Sequence, residues 1–210
     1  MKKFISIGLM CLLMAGLLVG CGKPFEADRD TIYIQKKGTV IGASISEFDK
    51  DYYDATELQE YVEGRVQSYQ AEHGEDSVQV DRFSVEEGIA KLYMKYESGG
   101  DYQELNEETL FAGTIPQALA EGFDFNAEFL GVEDGKLEGK TDNKTIVDLN
   151  AKVVVLSEKI DVKVDGTIQY VSWEDASIVA KDTVSLASEE EEEQAEKKEE
   201  DKTLVYIVYQ

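Results

Sequence analysis

Apolar and polar residues alternate along several short stretches of the chain, and a period of two residues is typical of β-strands. The first half of the chain has four such stretches, at residues 31–35, 40–45, 77–85 and 89–97. In the fourth, Ala90, Leu92 and Met94 fall on one side, whereas Lys91 and Lys95 fall on the other. This arrangement predicts an antiparallel strand with one buried and one solvated face.

Between the second and third strands the apolar spacing changes to that of a helix. Leu58, Tyr61, Val62, Val66 and Tyr69 form one stripe at helical spacing. The segment 56–59 fits a capping box that begins at a threonine, and the glycine at position 74 is a typical C-terminal stop. We therefore predict an amphipathic helix over about 55–73 that packs its apolar stripe on a sheet.

Two short helices are predicted within about 101–121, because Asp101 and Thr114 are both suited to cap a helix N-terminus. The segment 123–150 has a weak pattern with turn dipeptides, and it is predicted to be a loop with at most one short strand.

Strand patterns return in the last third of the chain. They predict strands at 151–156, 160–164, 167–173 and 177–187. Asp165-Gly166 lies between the second and third of these, and this dipeptide predicts a hairpin. Residues 203–210 are apolar at nearly every position, which indicates an interior strand buried on both faces. We expect a single α+β domain over 31–210, with a mainly antiparallel sheet, the long helix on one face and the C-terminal strand in the sheet.

The charge of the chain changes the expected set of partners. Its 210 residues carry 44 Asp and Glu against 21 Lys and Arg, a net charge of −23. This balance excludes a typical nucleic-acid-binding surface and opposes binding to anionic lipid. Residues 189–202 alone have a net charge of −6, and we predict a hydrated, disordered loop at about 188–202. A site for a basic partner or a divalent cation is the alternative for that loop.

The N-terminus has the pattern of a secretory leader. Met1-Lys2-Lys3 precedes 16 mainly apolar residues, fewer than the ~20 that a membrane-spanning helix needs. The run ends in Leu18-Val19-Gly20-Cys21, which resembles the lipobox of bacterial lipoprotein precursors. The resemblance implies that residues 1–20 are a signal peptide and that Cys21 receives a lipid. Residues 21–30, which begin with Gly22, Lys23 and Pro24 after the cysteine, are predicted to form a short lipidated tether. The resemblance places the protein at the outer face of the cell membrane.

Few residues remain for catalysis or for binding a cofactor. Cys11 lies in the leader and Cys21 is the expected lipid site, so no thiol is left for a disulfide or a metal. The acids of 49–57 lack the spacing of an EF-hand, and His73 has no recognisable nucleophile motif to serve. No glycine-rich segment has phosphate-binding spacing. We therefore expect no metal, no cofactor and no enzymatic activity.

The aromatic residues supply the candidate contact site. Most of the 11 tyrosines are expected in the core, but Tyr52, Tyr53 and Trp173 are candidates for contact with a ligand or a partner. The segments 32–53 and 110–115 resemble uncharacterised small lipoproteins of Gram-positive anaerobes, which implies an envelope location.

The expected function is a lipid-anchored extracytoplasmic module that binds or assembles with an envelope protein partner. The alternative is binding of a divalent cation or a cell-wall glycan through carboxylates and exposed aromatic residues. An envelope hydrolase that uses two carboxylates is the third hypothesis.

Overall fold

A computed structural model describes residues 24–187 and 203–210, and over these residues the chain forms thirteen strands and four helices. The strands are β1 (Thr31–Ile34), β2 (Val40–Glu47), β3 (Val78–Glu86), β4 (Ile89–Tyr96), β5 (Leu110–Thr114), β6 (Phe129–Glu133), β7 (Lys136–Thr141), β8 (Lys152–Leu156), β9 (Asp161–Val164), β10 (Ile168–Val171), β11 (Ser177–Ala180), β12 (Thr183–Ser185) and β13 (Val205–Tyr209). The helices are α1 (Ala55–His73), α2 (Gly99–Asn106), α3 (Ile115–Ala120) and α4 (Asn143–Val147).

The strands form two sheets. The front sheet has the order β11-β12-β9-β1-β2-β4-β3, and its strands are antiparallel except for the parallel pair β1–β9. The back sheet has the order β5-β8-β13-β10-β6-β7 and is antiparallel throughout. The predicted α+β class, the single domain, the long helix and the C-terminal strand are confirmed.

The two sheets pack face to face around the main core. Ile32 and Val162 of the front sheet join Val154 and Ile207 of the back sheet in one cluster of buried side chains. Every residue of β13 is buried, because the strand pairs with β8 on one side and with β10 on the other while both of its faces are covered. The apolar pattern of 203–210 is explained by this position.

A second cluster covers the outer face of the back sheet. Ile115 and Ala118 of α3, Ile146 of α4 and the linker residue Phe125 pack on Tyr206 and other outward side chains of the sheet. The segment 123–150 is therefore not the loop that its weak pattern predicted. It contains α4 and the hairpin β6–β7, in which Asp134 and Gly135 have φ angles of 50° and 75°, as a tight two-residue turn requires.

Helix α1 has the predicted bounds but a different cap and a narrower buried stripe. Its N-cap is Asp54, whose carboxylate accepts hydrogen bonds from the amides of Thr56 and Glu57 at 2.7 and 3.2 Å. The predicted capping box at Thr56 is wrong, because the carboxylate two residues earlier is the better acceptor at the positive end of the helix. Of the helix's 19 residues Val66 is the buried one, and Tyr61 is 63% exposed.

Asp165-Gly166 does not form the predicted hairpin. Strand β9 belongs to the front sheet and β10 to the back sheet, so the dipeptide carries the chain from one sheet to the other. Gly166 is needed for a close approach of the chain end, since a Cβ atom there would lie 2.7 Å from the carbonyl oxygen of Gln210. The amide of Thr167 donates to that same oxygen.

Candidate functional site

Three aromatic side chains form a cluster between β2 and α1, and we call Phe48, Tyr52 and Tyr53 the tyrosine patch. Backbone hydrogen bonds hold its loop at both ends. The amide of Phe48 donates to the carbonyl of Gly88 at 2.6 Å, and the amide of Tyr53 donates to that of Lys50 at 3.0 Å. The helix cap at the next residue fixes the loop further. The patch is thus presented by a constrained segment of chain.

The two tyrosines of the patch are the sequence-predicted contact residues, and both are exposed. Tyr52 is 78% exposed and Tyr53 is 42% exposed. Their ring centroids lie 4.9 Å apart at 74°, an edge-to-face contact, and Phe48 lies 4.9 Å from Tyr53 on the other side. The nearby Tyr52 hydroxyl raises the pKa of Tyr53 above its ordinary value.

Carboxylates surround the tyrosine patch. Asp49 and Asp51 are exposed on the same loop, and Asp49 forms an ion pair of 3.3 Å with Lys50. An aromatic surface beside carboxylates attracts ammonium and guanidinium groups. It can also stack on a sugar ring while the carboxylates accept hydrogen bonds from the hydroxyl groups of the sugar.

Trp173, the third predicted contact residue, lies apart from the patch in the link between β10 and β11. Its ring packs against the main core, and the ammonium group of Lys159 lies 4.5 Å from the ring centroid. The indole Nε1 is buried and makes no hydrogen bond to the described residues. The structure therefore does not bring the three predicted residues into one site.

A cleft of about 770 Å³ between α1 and α2 was not predicted from the sequence. The Tyr69 hydroxyl lies 3.2 Å from a carboxylate oxygen of Asp101 and 3.4 Å from one of Glu104. Burial and these two carboxylates raise the pKa of Tyr69 far above its ordinary value. The ring of His73 stacks on that of Tyr69 at 4.0 Å, and its Nε2 lies 3.3 Å from Glu104.

Each half of this cleft has a pattern that is visible in the sequence. Tyr69 and His73 are four residues apart on α1, and Asp101 and Glu104 are three apart on α2, so each pair shares a helix face. Only the tertiary packing brings the two pairs together. The cleft has an acidic lining, with Glu107 and Glu108 in addition. Over residues 24–187 and 203–210 no group of three or more potential ligands is placed to hold a metal ion.

Comparison with protein-family models, with curated proteins and with solved structures gives no match to this chain. Within the described residues no helix has the length and apolar character needed to cross a membrane. The predicted signal peptide, the lipid site Cys21 and the acidic loop at 188–202 lie outside the described residues. The site must therefore be interpreted from its own geometry.

Proposed function

We propose that the protein is a lipid-anchored extracytoplasmic module that binds an envelope protein through the tyrosine patch. The observation that carries the proposal is the pair Tyr52 and Tyr53, two exposed aromatic side chains held edge to face on a constrained loop. The lipobox at Cys21 supports the location, because a diacylated thiol would hold the domain at the outer membrane face.

Aromatic side chains of this kind carry much of the energy of protein interfaces. Tyrosine offers a large contact area and has few rotatable bonds, so little entropy is lost on binding. Here Tyr53 is already restrained by ring contacts with both Phe48 and Tyr52, which lowers the ordering cost further. The patch is preorganised for contact.

The carboxylates beside the patch determine the chemistry of the partner. Asp49 and Asp51 flank it in a chain whose net charge is −23. A partner surface with lysine or arginine would gain ion pairs with these residues and cation–π contact with the tyrosine rings. We therefore propose a basic protein surface as the partner.

The test cross-links the lipidated protein to its partners in cells and then isolates the cross-linked protein from an envelope extract. Wild type is compared with the double variant Tyr52→Ala/Tyr53→Ala. Hot-spot residues contribute about 2 kcal/mol or more, so we expect roughly a 30-fold or greater loss of the captured protein. Tyr61→Ala is the matched control, because Tyr61 is 63% exposed on α1 and lies outside the patch. Equal capture by wild type and the double variant would refute the assignment of the patch.

A cell-wall glycan is the second candidate ligand, favoured by the 78% exposure of the Tyr52 ring. Sugar stacking needs the ring and not the hydroxyl, so Tyr52→Phe should keep glycan binding while Tyr52→Ala loses it. Titration with purified cell-wall fragments distinguishes this candidate from a protein partner. The described residues do not support the divalent-cation alternative, because no group of three or more potential ligands among them is placed to hold a metal ion. They do not support the hydrolase hypothesis either, because the carboxylates Asp101 and Glu104 both lie within hydrogen-bond distance of the Tyr69 hydroxyl.

A further inference from the structure

Residues 25–27 lie against the outer face of the front sheet. The ring of Phe25 has its centroid 5.2 Å from that of Tyr33 and 6.2 Å from that of Tyr93. The amide of Ala27 donates to the Tyr93 hydroxyl at 3.1 Å, and both residues are buried. We call residues 25–27 the docked segment.

Arg82 holds the docked segment from the neighbouring strand β3. Its guanidinium donates to the Phe25 carbonyl and to the Glu26 carboxylate, the latter at 2.5 Å. The same group lies 4.0 Å from the centroid of the Tyr93 ring. The hydrogen bond and charge of Arg82 lower the pKa of Glu26, which keeps this carboxylate ionised. Apolar, hydrogen-bonding and ionic contacts therefore fix the segment at one place on the sheet.

The docked segment restricts where a lipid on Cys21 can be. Cys21 precedes Phe25 by four residues, and a fully extended chain spans at most about 3.6 Å per residue. The α-carbon of Cys21 is therefore within about 14 Å of that of Phe25. A lipid attached to Cys21 enters the membrane close to the outer face of the front sheet.

The charge of this face does not draw it to anionic lipid. Strand register places Arg82, Lys91, Lys95 and Lys163 on the outer face together with Glu47, Glu86 and Asp161. Glu26 and Asp81 form ion pairs with Arg82, and Asp182 forms one with Lys163. The approach of this face to a lipid surface therefore depends on the anchor beside the docked segment and not on charge.

We propose that the outer face of the front sheet is turned toward the membrane surface and contacts its lipid headgroups; this orientation rests on lipidation of Cys21. The back sheet and α3 then lie on the far side. Leu119 on α3 is 43% exposed there, and successive layers of a domain are about 10 Å apart. The two sides of the domain should thus differ by about 20 Å in their distance from the lipid.

Single-cysteine fluorescence quenching tests the orientation. Processing would remove Cys11 with the leader and block Cys21 with lipid, so an introduced cysteine would be the single free thiol. A fluorophore is attached to Gln79→Cys, which is exposed on the outer face of β3, or to Leu119→Cys on α3. Each lipidated protein is bound to phosphatidylcholine–phosphatidylglycerol vesicles that contain headgroup-nitroxide lipid. We expect several-fold stronger quenching at position 79 than at position 119.

Equal quenching at the two positions, or stronger quenching at 119, would overturn the orientation. Flotation of the same vesicles separates this failure from failure of the anchor, because protein that does not float has no functional lipid and overturns both proposals. In the Arg82→Ala variant the docked segment loses its ionic contacts. Quenching at position 79 should then fall toward that at 119, and an unchanged difference would show that the docked segment does not orient the domain.

Discussion

Replacing Tyr93 by Phe should weaken the attachment of the docked segment to the front sheet while leaving the sheet itself intact. The Tyr93 hydroxyl accepts a hydrogen bond from the Ala27 amide at 3.1 Å and lies 3.2 Å from the Glu26 carboxylate. Phenylalanine keeps the ring that packs against Phe25 and Ala43, so the substitution removes the polar contacts and little of the packing.

The size of the effect follows from burial. Tyr93 is 2% exposed and Ala27 is 9% exposed, so the Ala27 amide has no ready access to water once the hydroxyl is gone. A buried donor left without an acceptor costs about 1–3 kcal/mol. If residues 25–27 unfold together with the domain, the free energy of unfolding should fall by this amount. If they open locally instead, the loss should appear in the protection of the Ala27 amide against hydrogen exchange.

Urea unfolding of residues 22–210, followed by the fluorescence of Trp173, measures the global effect. Trp173 is the one tryptophan of the sequence and packs on the main core. The matched control is Tyr61→Phe, since the 63% exposed Tyr61 is solvated before and after the change and should alter stability by less than about 0.5 kcal/mol. A Tyr93→Phe protein with control-like stability and unchanged exchange at Ala27 would refute the docking argument.

Three further changes test other parts of the fold. Gly166→Ala should destabilise the domain by roughly 1–3 kcal/mol in urea unfolding, because its Cβ would lie 2.7 Å from the Gln210 carbonyl oxygen. Gly64→Ala, on the exposed side of α1 with no atom within 4 Å of the new Cβ, should stabilise the domain by about 0.5–1 kcal/mol, and a loss would contradict the helix. Burial raises the pKa of Tyr209 to about 12 against about 10 in the unfolded chain, so stability is lost as the pH rises from about 10 to 12. Tyr209→Phe should lose less over that range in pH-dependent thermal unfolding, and an identical loss would contradict the burial of the hydroxyl.

Burial on two faces made the C-terminal strand predictable. In residues 203–210 the apolar run has no polar alternation, and such a pattern fits only a strand with neighbours on both sides and layers above and below. Helix α1 was equally predictable from the sequence, because Gly74 ends it with a φ of 99° that other residues adopt only at a cost. Both predictions depend on local chemistry that the tertiary fold does not override.

The division into two sheets depends on contacts between distant parts of the sequence. Asp165-Gly166 has the composition of a hairpin turn, but β9 pairs in parallel with β1, about 130 residues earlier in the chain. A dipeptide gives no information about such a partner. The same limitation applies to the acidic cleft, whose two helix faces are each visible in the sequence while their contact is not.

The docked segment was also missed, although the sequence does contain a sign of it. In β3 the apolar positions are Val78 and Val80 and then Phe83 and Val85, so the alternation shifts by one residue at Asp81. The structure has a β-bulge at this point, and Arg82 pairs with Tyr93 instead of following Val80 onto the inner face. The bulge therefore aims the guanidinium outward, where it reaches Phe25 and Glu26. A one-residue shift in an apolar pattern thus predicts a side chain that points to the other face of the sheet, and here that side chain fixes residues 25–27.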